Sequence, residues 1–187
     1  MNAPVDPGHE SVTAPAHDPV AERAAPVLVA GIGNIFLRDD GFGVEVVQRL
    51  AKRALPAGVE AVDIGVRGVH LAYQVLDGCA VLVLVDAVHR GGEPGTVHLI
   101  EVGADDRVAP EGVPVLDGHH MSPDTVLALL ETLSEATGGS RPRRVFVVGC
   151  EPAALEEGIG LSAPVAAAVD DACELVLRLL DELEAAC

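Results

Sequence analysis

Asp39 and Asp40 stand just behind a glycine turn that itself follows an apolar run, in the stretch VLVAGIGNIFLRDDGFGVEVV from Val27 to Val47. A strand entering a glycine turn and leaving into a helix is a common beginning for a nucleotide site. The first question is therefore whether the turn holds a phosphate or offers carboxylates to a cation. A dinucleotide site needs G-x-G-x-x-G, its third glycine allowing the helix to pack closely. Gly31 and Gly33 meet that pattern, but Phe36 takes the third place, and the stretch lacks the Lys followed by Ser or Thr of a phosphate loop. The two acids also fall where the next helix begins, the place where free N–H groups would receive an anion. One reading of them is N-capping and dipole complementation at the start of GFGVEVVQRLAKRAL, and for Asp39 it is the preferred one. The other is a cation site, which for Asp40 gains from residues elsewhere in the chain.

Asp86 is the one charge inside AVLVLVDAV and lies near the C-terminal end of a run that reads as a buried strand. Ligand sites in open parallel sheets form just beyond such ends, and the Gly31–Asp40 turn leaves its own strand at that edge. Taken alone, Asp86 could equally cap a neighbouring loop. His119 and His120 precede the helix that starts at Ser122, in a loop able to reach the same edge. A single loop histidine is more often a surface residue. Together, two carboxylates and an imidazole on three loops make a mixed oxygen and nitrogen set suited to a divalent transition metal with open coordination positions. No G-x-S-x-G elbow, H-E-x-x-H helix or Cys–His signature supplies a nucleophile. Cys79, Cys150, Cys173 and Cys187 are dispersed and read as reduced thiols, with Cys150, at the end of an apolar strand, the only one placed to suggest a nucleophile.

The elements that must position these residues alternate. Strands are expected at VLVAGIG, VEAVDIG, AVLVLVDAV, TVHLIEV and RRVFVVGCE, with helical patterns between most of them. The first, third and fifth are almost continuously apolar, as strands covered on both faces are. The expectation is an α/β fold: a mainly parallel five-stranded sheet with helices on both faces. HRGGEP is too short for a crossover helix, so TVHLIEV is expected to be the one antiparallel strand. MSPDTVLALLETLSEA reads as a helix capped by Ser122, with Val126, Leu127, Leu130 and Leu133 on one face. LSAPVAAAVDDACELVLRLLDELEAA repeats the start signal at Ser162 and Pro164, and Val165, Val169, Ala172, Val176, Leu179 and Leu183 recur at helical spacing. Both faces read as cover for the sheet. Residues 1–25, rich in Ala, Pro and charge without periodicity, are expected to be a disordered tail, and residues 26–187 a single domain.

Composition limits the partners. The chain has 187 residues, 49% of them apolar, and 29 acidic against 12 basic residues give a net charge of −17. Such a charge repels nucleic acid and anionic membranes. No apolar run is long enough to span a bilayer, and the N-terminal stretch lacks the basic start and apolar core of an export signal. The expectation is a soluble cytoplasmic protein with neither nucleic acid nor membrane as partner.

Four stretches in order, VLVAGIGNIFLRDDGFG, LVLVDAV, GHHMSPDTVLALL and VVGCEPAALEEGIGLSAPV, resemble the hydrogenase maturation proteases. These trim the C-terminal extension from the large subunit of nickel-iron hydrogenases. The resemblance runs from Val27 to the final helix and implies a mixed α/β sandwich around a mainly parallel five-stranded sheet. It also implies that Asp40, Asp86 and His119 form the metal-binding and catalytic set, His119 by gap-free register with the VLAL of the following helix. Some members carry Glu where Asp40 stands, and His120 sits beside the expected ligand. By the same resemblance the partner is the precursor of the large subunit, which brings nickel on its own cysteines, so that the protease is expected to hold no metal tightly. The backbone at Gly33, Asn34 and Gly68, in GIGN and GVRG, would approach the extended C-terminal peptide, although a plain turn role is equally open for Gly33 and Gly68. Two other readings remain: a non-catalytic nickel-sensing maturation chaperone and a phosphate- or nucleoside-binding α/β enzyme.

Overall fold

The continuous apolar runs form the centre of one sheet. In the computed structural model, which describes residues 26–103 and 122–186, the strands are β1 (Val27–Ile32), β2 (Val59–Gly65), β3 (Val81–Ala87), β4 (Val97–Glu101) and β5 (Arg144–Cys150). The helices are α1 (Phe42–Leu50), α2 (Gly68–Leu76), α3 (Pro123–Thr137) and α4 (Ala163–Ala185). The sheet order is β2-β1-β3-β5-β4, with every pairing parallel except β4 against β5. The expected α/β fold with one antiparallel strand is what forms. The short HRGGEP connection settled the direction of β4 but not its neighbour: β5 inserts between β3 and β4. The first 25 residues, His119, His120 and Cys187 lie outside the described residues.

Successive strand residues point to opposite faces, so an apolar run of six or seven residues supplies two cores at once. Val29, Val83, Val85, Phe146 and Val148 face α1 and α4. Leu28, Ala30, Leu82, Leu84 and Val147 face α2 and α3. Each of the Val, Leu and Phe side chains among them, fully buried, contributes about 1.5–3 kcal/mol. All six apolar positions expected on α4 are buried. On α3 the buried face is rotated slightly from the expected one: Val126, Leu129 and Leu130 are buried, whereas Leu127 is half-buried beside Asp86. The start signal of α3 works as read, Ser122 Oγ accepting from Thr125 N–H at 3.3 Å with Pro123 opening the helix. No helix among the described residues is long and apolar enough to cross a membrane.

Two strand-following segments matter for function because β1 and β3 are neighbours at the point where the winding reverses. From β1 the chain moves outward to β2, then returns past β1 to β3. A crevice opens at such a switch point, beyond the C-terminal strand ends. The segment after β1 is pinned over it by a close helix approach. A Cβ on Gly43, in the first turn of α1, would lie 2.0 Å from the Val85 carbonyl oxygen and 2.5 Å from that of Ile32. A Cβ on Gly31 would lie 2.2 Å from the Gly43 carbonyl oxygen. Gly43, rather than the missing third glycine of a dinucleotide turn, lets the helix touch the strands.

Because the atoms facing Gly43 are backbone, no side-chain rotation can make room for a methyl group there. Gly43→Ala is expected to destabilise the protein by about 1–3 kcal/mol or more, whereas Ala167→Ser on the exposed face of α4 should stay within about 0.5 kcal/mol. Denaturant unfolding measures both, and a Gly43→Ala protein as stable as its parent would contradict the close packing.

Candidate functional site

The turn after β1 is a short 3-10 segment, Arg38–Gly41, whose geometry decides where the paired acids point. Arg38 has φ 46°, a left-handed conformation uncommon outside glycine. It is held there by its N–H donating to the Gly158 carbonyl at 3.0 Å and by an ion pair to Glu156 at 2.9 Å. Gly33, φ 116°, has no space for a Cβ: one would sit 1.9 Å from the Asp40 carbonyl oxygen and 3.5 Å from Asp86 Oδ1. Gly33 therefore lets the backbones of the turn close on each other and brings Asp40 and Asp86 to one place. Asn34 N–H donates to Asp40 Oδ2 at 2.6 Å, and Asn34 Oδ1 accepts from Phe36 N–H at 3.0 Å. Gly68, the first residue of α2, is buried.

Asp86 is in register with Gly149, next to last in β3, and only 3% exposed. Its Oδ1 is buried with no hydrogen-bond partner among the described residues. Leaving such an atom unsatisfied costs about 1–3 kcal/mol, which makes it unusual in a native fold. Burial, and then the neighbouring Asp40 carboxylate, push the Asp86 pKa well above the ordinary carboxylate value. Two acids brought together at a switch point, one with a bare oxygen, concentrate negative charge in a place that is partly removed from water. Among the described residues no group of three or more His, Cys, Asp and Glu is arranged to hold a metal. The pair accounts for two donors, and His119 falls outside the described residues. From Asp86 a cleft of about 420 Å³ runs along Val88, Ile100, Val102, Leu127 and Val147, with Ser122 and Asp124 at its rim.

Asp39 does not cap α1. The N-cap of that helix is Gly41, with no side-chain cap bond, and the Asp39 carboxylate, fully buried, points to the opposite neighbour. Oδ2 accepts from Ala153 N–H at 2.8 Å, Ala154 N–H at 2.9 Å and the Ser162 hydroxyl at 2.8 Å, while Oδ1 accepts from Ser162 N–H at 2.6 Å. Ser162 is the N-cap of α4 as expected, but its hydroxyl serves Asp39 rather than its own helix. Burial by itself would raise the Asp39 pKa; the bonds from Ser162, Ala153 and Ala154 more than offset this and hold it below the ordinary 3.8.

Glu151 does the same for the segment that leaves β3. It is 1% exposed, and its carboxylate accepts from Arg90 N–H at 2.8 Å and Gly91 N–H at 3.2 Å, with His89 Nδ1 at 2.9 Å. Here too burial would raise the pKa, but the amides of Arg90, Gly92 and Gly91, with His89, bring it below the ordinary value. Sequence reasoning missed this residue. The signal was available, an acid at the end of a continuous apolar strand, and is the one that singled out Asp86. The nucleophile reading of Cys150 fails on its surroundings: the thiol is fully buried, and burial, then Asp39 and Glu151, push its pKa up to about 12.

The folded protein holds Asp39 below 3.8, so near that pH it binds fewer protons than the unfolded chain. The stability this carboxylate confers is complete above the ordinary value and is lost as the pH falls through the lower folded one. Asp39→Asn leaves one acceptor oxygen for four donors. It is expected to lose about 1–3 kcal/mol at neutral pH and to show a shallower fall of stability below about pH 4 than the parent, read from denaturant unfolding across pH. An unaltered acid profile would contradict the role given to Asp39.

Known proteins resemble this chain in both sequence and fold. The sequence profile of the hydrogenase maturation protease family matches residues 44–179. The hydrogenase expression/formation protein HupD of Rhodobacter capsulatus is 36% identical over 156 residues, 82% of this chain and 70% of that protein. The hydrogenase 2 maturation protease of Escherichia coli is 34% identical over 158 residues, 83% of this chain and 91% of that one. Among solved structures, the hydrogenase maturating endopeptidase HybD from E. coli superposes with a TM-score of 0.66 at 34% identity, covering 84% of this chain and 93% of its own. The hydrogenase 2 maturation peptidase from a Thaumarchaeota archaeon does so at 0.63 and 33%, covering 83% and 98%. With most of its domain matched by profile, sequence and fold alike, the chain belongs to the hydrogenase maturation proteases and is an endopeptidase.

Proposed function

We propose that this endopeptidase removes a C-terminal extension from the precursor of a nickel-iron hydrogenase large subunit, that nickel enters with that precursor, and that Asp40, Asp86 and His119 are the donors that meet it. The observation that carries the reading is the unpartnered Asp86 Oδ1 beside the Asp40 carboxylate. Two converging carboxylates are a poor resting state and a good receptor for a cation. They are also too few to hold a borderline ion alone, which favours a metal that arrives with ligands of its own. The family resemblance supplies His119 as the third donor.

On arrival with the substrate the metal supplies a positive charge that polarises a nearby scissile carbonyl. The chain's own groups do the rest. The Asn34 N–H bond fixes Asp40 as a ligand with one orientation. A carboxylate oxygen of the pair that is not engaged with the metal would take the proton from an attacking water and return it to the leaving amine. By the family resemblance the backbone at Gly33, Asn34 and Gly68 would approach the extended peptide, although Gly33 and Gly68 are themselves buried. The cytoplasm is the compartment this reading calls for, and the free thiols of Cys79, Cys150 and Cys173 fit a reducing one. The net charge of −17 argues against nucleic acid or an anionic membrane as a second partner.

Given nickel-loaded and nickel-free precursor, the protein is expected to cut only the loaded form, followed as loss of the C-terminal peptide by mass spectrometry. Asp40→Asn, Asp86→Asn and His119→Ala should each lower the rate by about 10²–10⁴-fold while remaining folded, and His120→Ala should stay active. Equal cleavage of both precursors would defeat the substrate-borne metal. A folded Asp86→Asn protein with normal activity would remove Asp86 from the site, and binding without cleavage by the parent would identify a chaperone.

A further inference from the structure

Of the eight large apolar side chains exposed among the described residues, six lie toward the sheet edge that carries the carboxylates, Tyr73 and Leu99 being the exceptions. Ile35 (48% exposed) and Phe36 (62%) follow β1, Val66 and Val69 follow β2, and Leu155 (47%) and Ile159 (82%) follow β5. All six come after the C-terminal end of a parallel strand, the edge that carries Asp40 and Asp86. Single exposed apolar residues need no explanation, but a contiguous set marks a contact surface.

Four of the six share one ledge. The segment from Ile35 to Asp39 is stitched to that from Ala154 to Gly160 by Gly158 N–H to the Phe36 carbonyl at 2.8 Å, Arg38 N–H to the Gly158 carbonyl at 3.0 Å and Asp39 N–H to the Ala154 carbonyl at 3.1 Å. The Arg38–Glu156 ion pair and the four bonds to Asp39 stiffen the same seam. Ile35 and Ile159 then form walls of a cleft of about 400 Å³ that continues over Val44 and Leu161 and reaches the Asp40 turn at Gly41. The backbone that carries the apolar side chains is thus held in place while the side chains stay exposed, which lowers the ordering cost of a partner that covers them.

We infer that this ledge docks the folded body of the precursor while its tail lies between Asp40 and Asp86, and that the docked surface is apolar with Lys or Arg around it. The inference rests on the substrate reading above. Continuity supports it, because an endopeptidase must receive a polypeptide at its carboxylates, and the ledge adjoins them through Gly41. Charge supports it as well. The cations at the rim are already neutralised, Arg38 by Glu156 and Arg49 by Glu45 and Asp170, and Glu157 adds a further negative charge. A second copy, also at −17, would be repelled from this surface; a basic rim on the precursor would be drawn to it.

The test is steady-state cleavage of nickel-loaded precursor by the double variant Phe36→Ser with Ile159→Ser, by Glu157→Lys, and by Leu99→Ser, an exposed position on β4 away from the ledge. The double variant should raise KM about tenfold or more with kcat within about twofold and an undiminished melting temperature. Glu157→Lys should raise KM and weaken its dependence on salt, and Leu99→Ser should change neither constant. Unchanged KM in the double variant, with the parent cutting normally, overturns the docking ledge and leaves the substrate assignment standing. Unchanged KM together with loss of a dimer in sedimentation would assign the ledge to a second copy. A parent that leaves loaded precursor whole overturns the substrate assignment and the docking with it.

Discussion

The Asp39 carboxylate, removed from water and bonded to Ser162, Ala153 and Ala154, is the interaction on which the arrangement of the site depends. It joins the segment after β1 to the segment between β5 and α4, two parts of the chain more than a hundred residues apart. An ionised group can be buried here because its two oxygens together accept four bonds from N–H and O–H donors. Its neighbour Asp40 is consequently not free to choose its direction. With Asp39 turned one way into the fold, the short 3-10 turn sends Asp40 the other way, toward Asp86.

Four carboxylates at one sheet edge thus divide into two kinds. Asp39 and Glu151 are saturated by amides, sit below their ordinary pKa values, and fasten the loops leaving β1 and β3. Asp86 is starved of donors and pushed well above its ordinary value by burial and by Asp40. Local stability from the first pair offsets the unfavourable burial of the second. The pH dependences run in opposite senses. Acid weakens the scaffold by protonating Asp39, whereas rising pH charges Asp86 and sets it against the Asp40 carboxylate.

Much of this was legible in the residues because strand burial and helix periodicity are written locally. The apolar runs located β1, β3 and β5, and Ser122 and Ser162 marked the starts of α3 and α4. Asp86 stood out as a charge inside a continuous apolar run. What could not be read were relations between distant segments. HRGGEP excluded a parallel β3–β4 pair but carried no sign that β5 would come between them. Asp39, next to a helix start, looked like its cap, and nothing local indicated that Ala153, Ala154 and Ser162 would reach it first. Glu151 carried the same local signal as Asp86 and differs from it only in the amides that the loop from His89 to Gly92 folds onto it. The exposed apolar residues of the ledge are invisible to periodicity, since each sits in a loop.

The central claim is that the carboxylates of Asp40 and Asp86 join the coordination of a metal carried by the substrate. Nickel-edge X-ray absorption tests it most directly, comparing loaded precursor alone with loaded precursor freeze-quenched on the enzyme within a single turnover. The account predicts that oxygen or nitrogen donors are added to the precursor's nickel on mixing with the parent, and that Asp86→Asn adds fewer. A nickel spectrum unchanged by binding, while the extension is still cut, would contradict it.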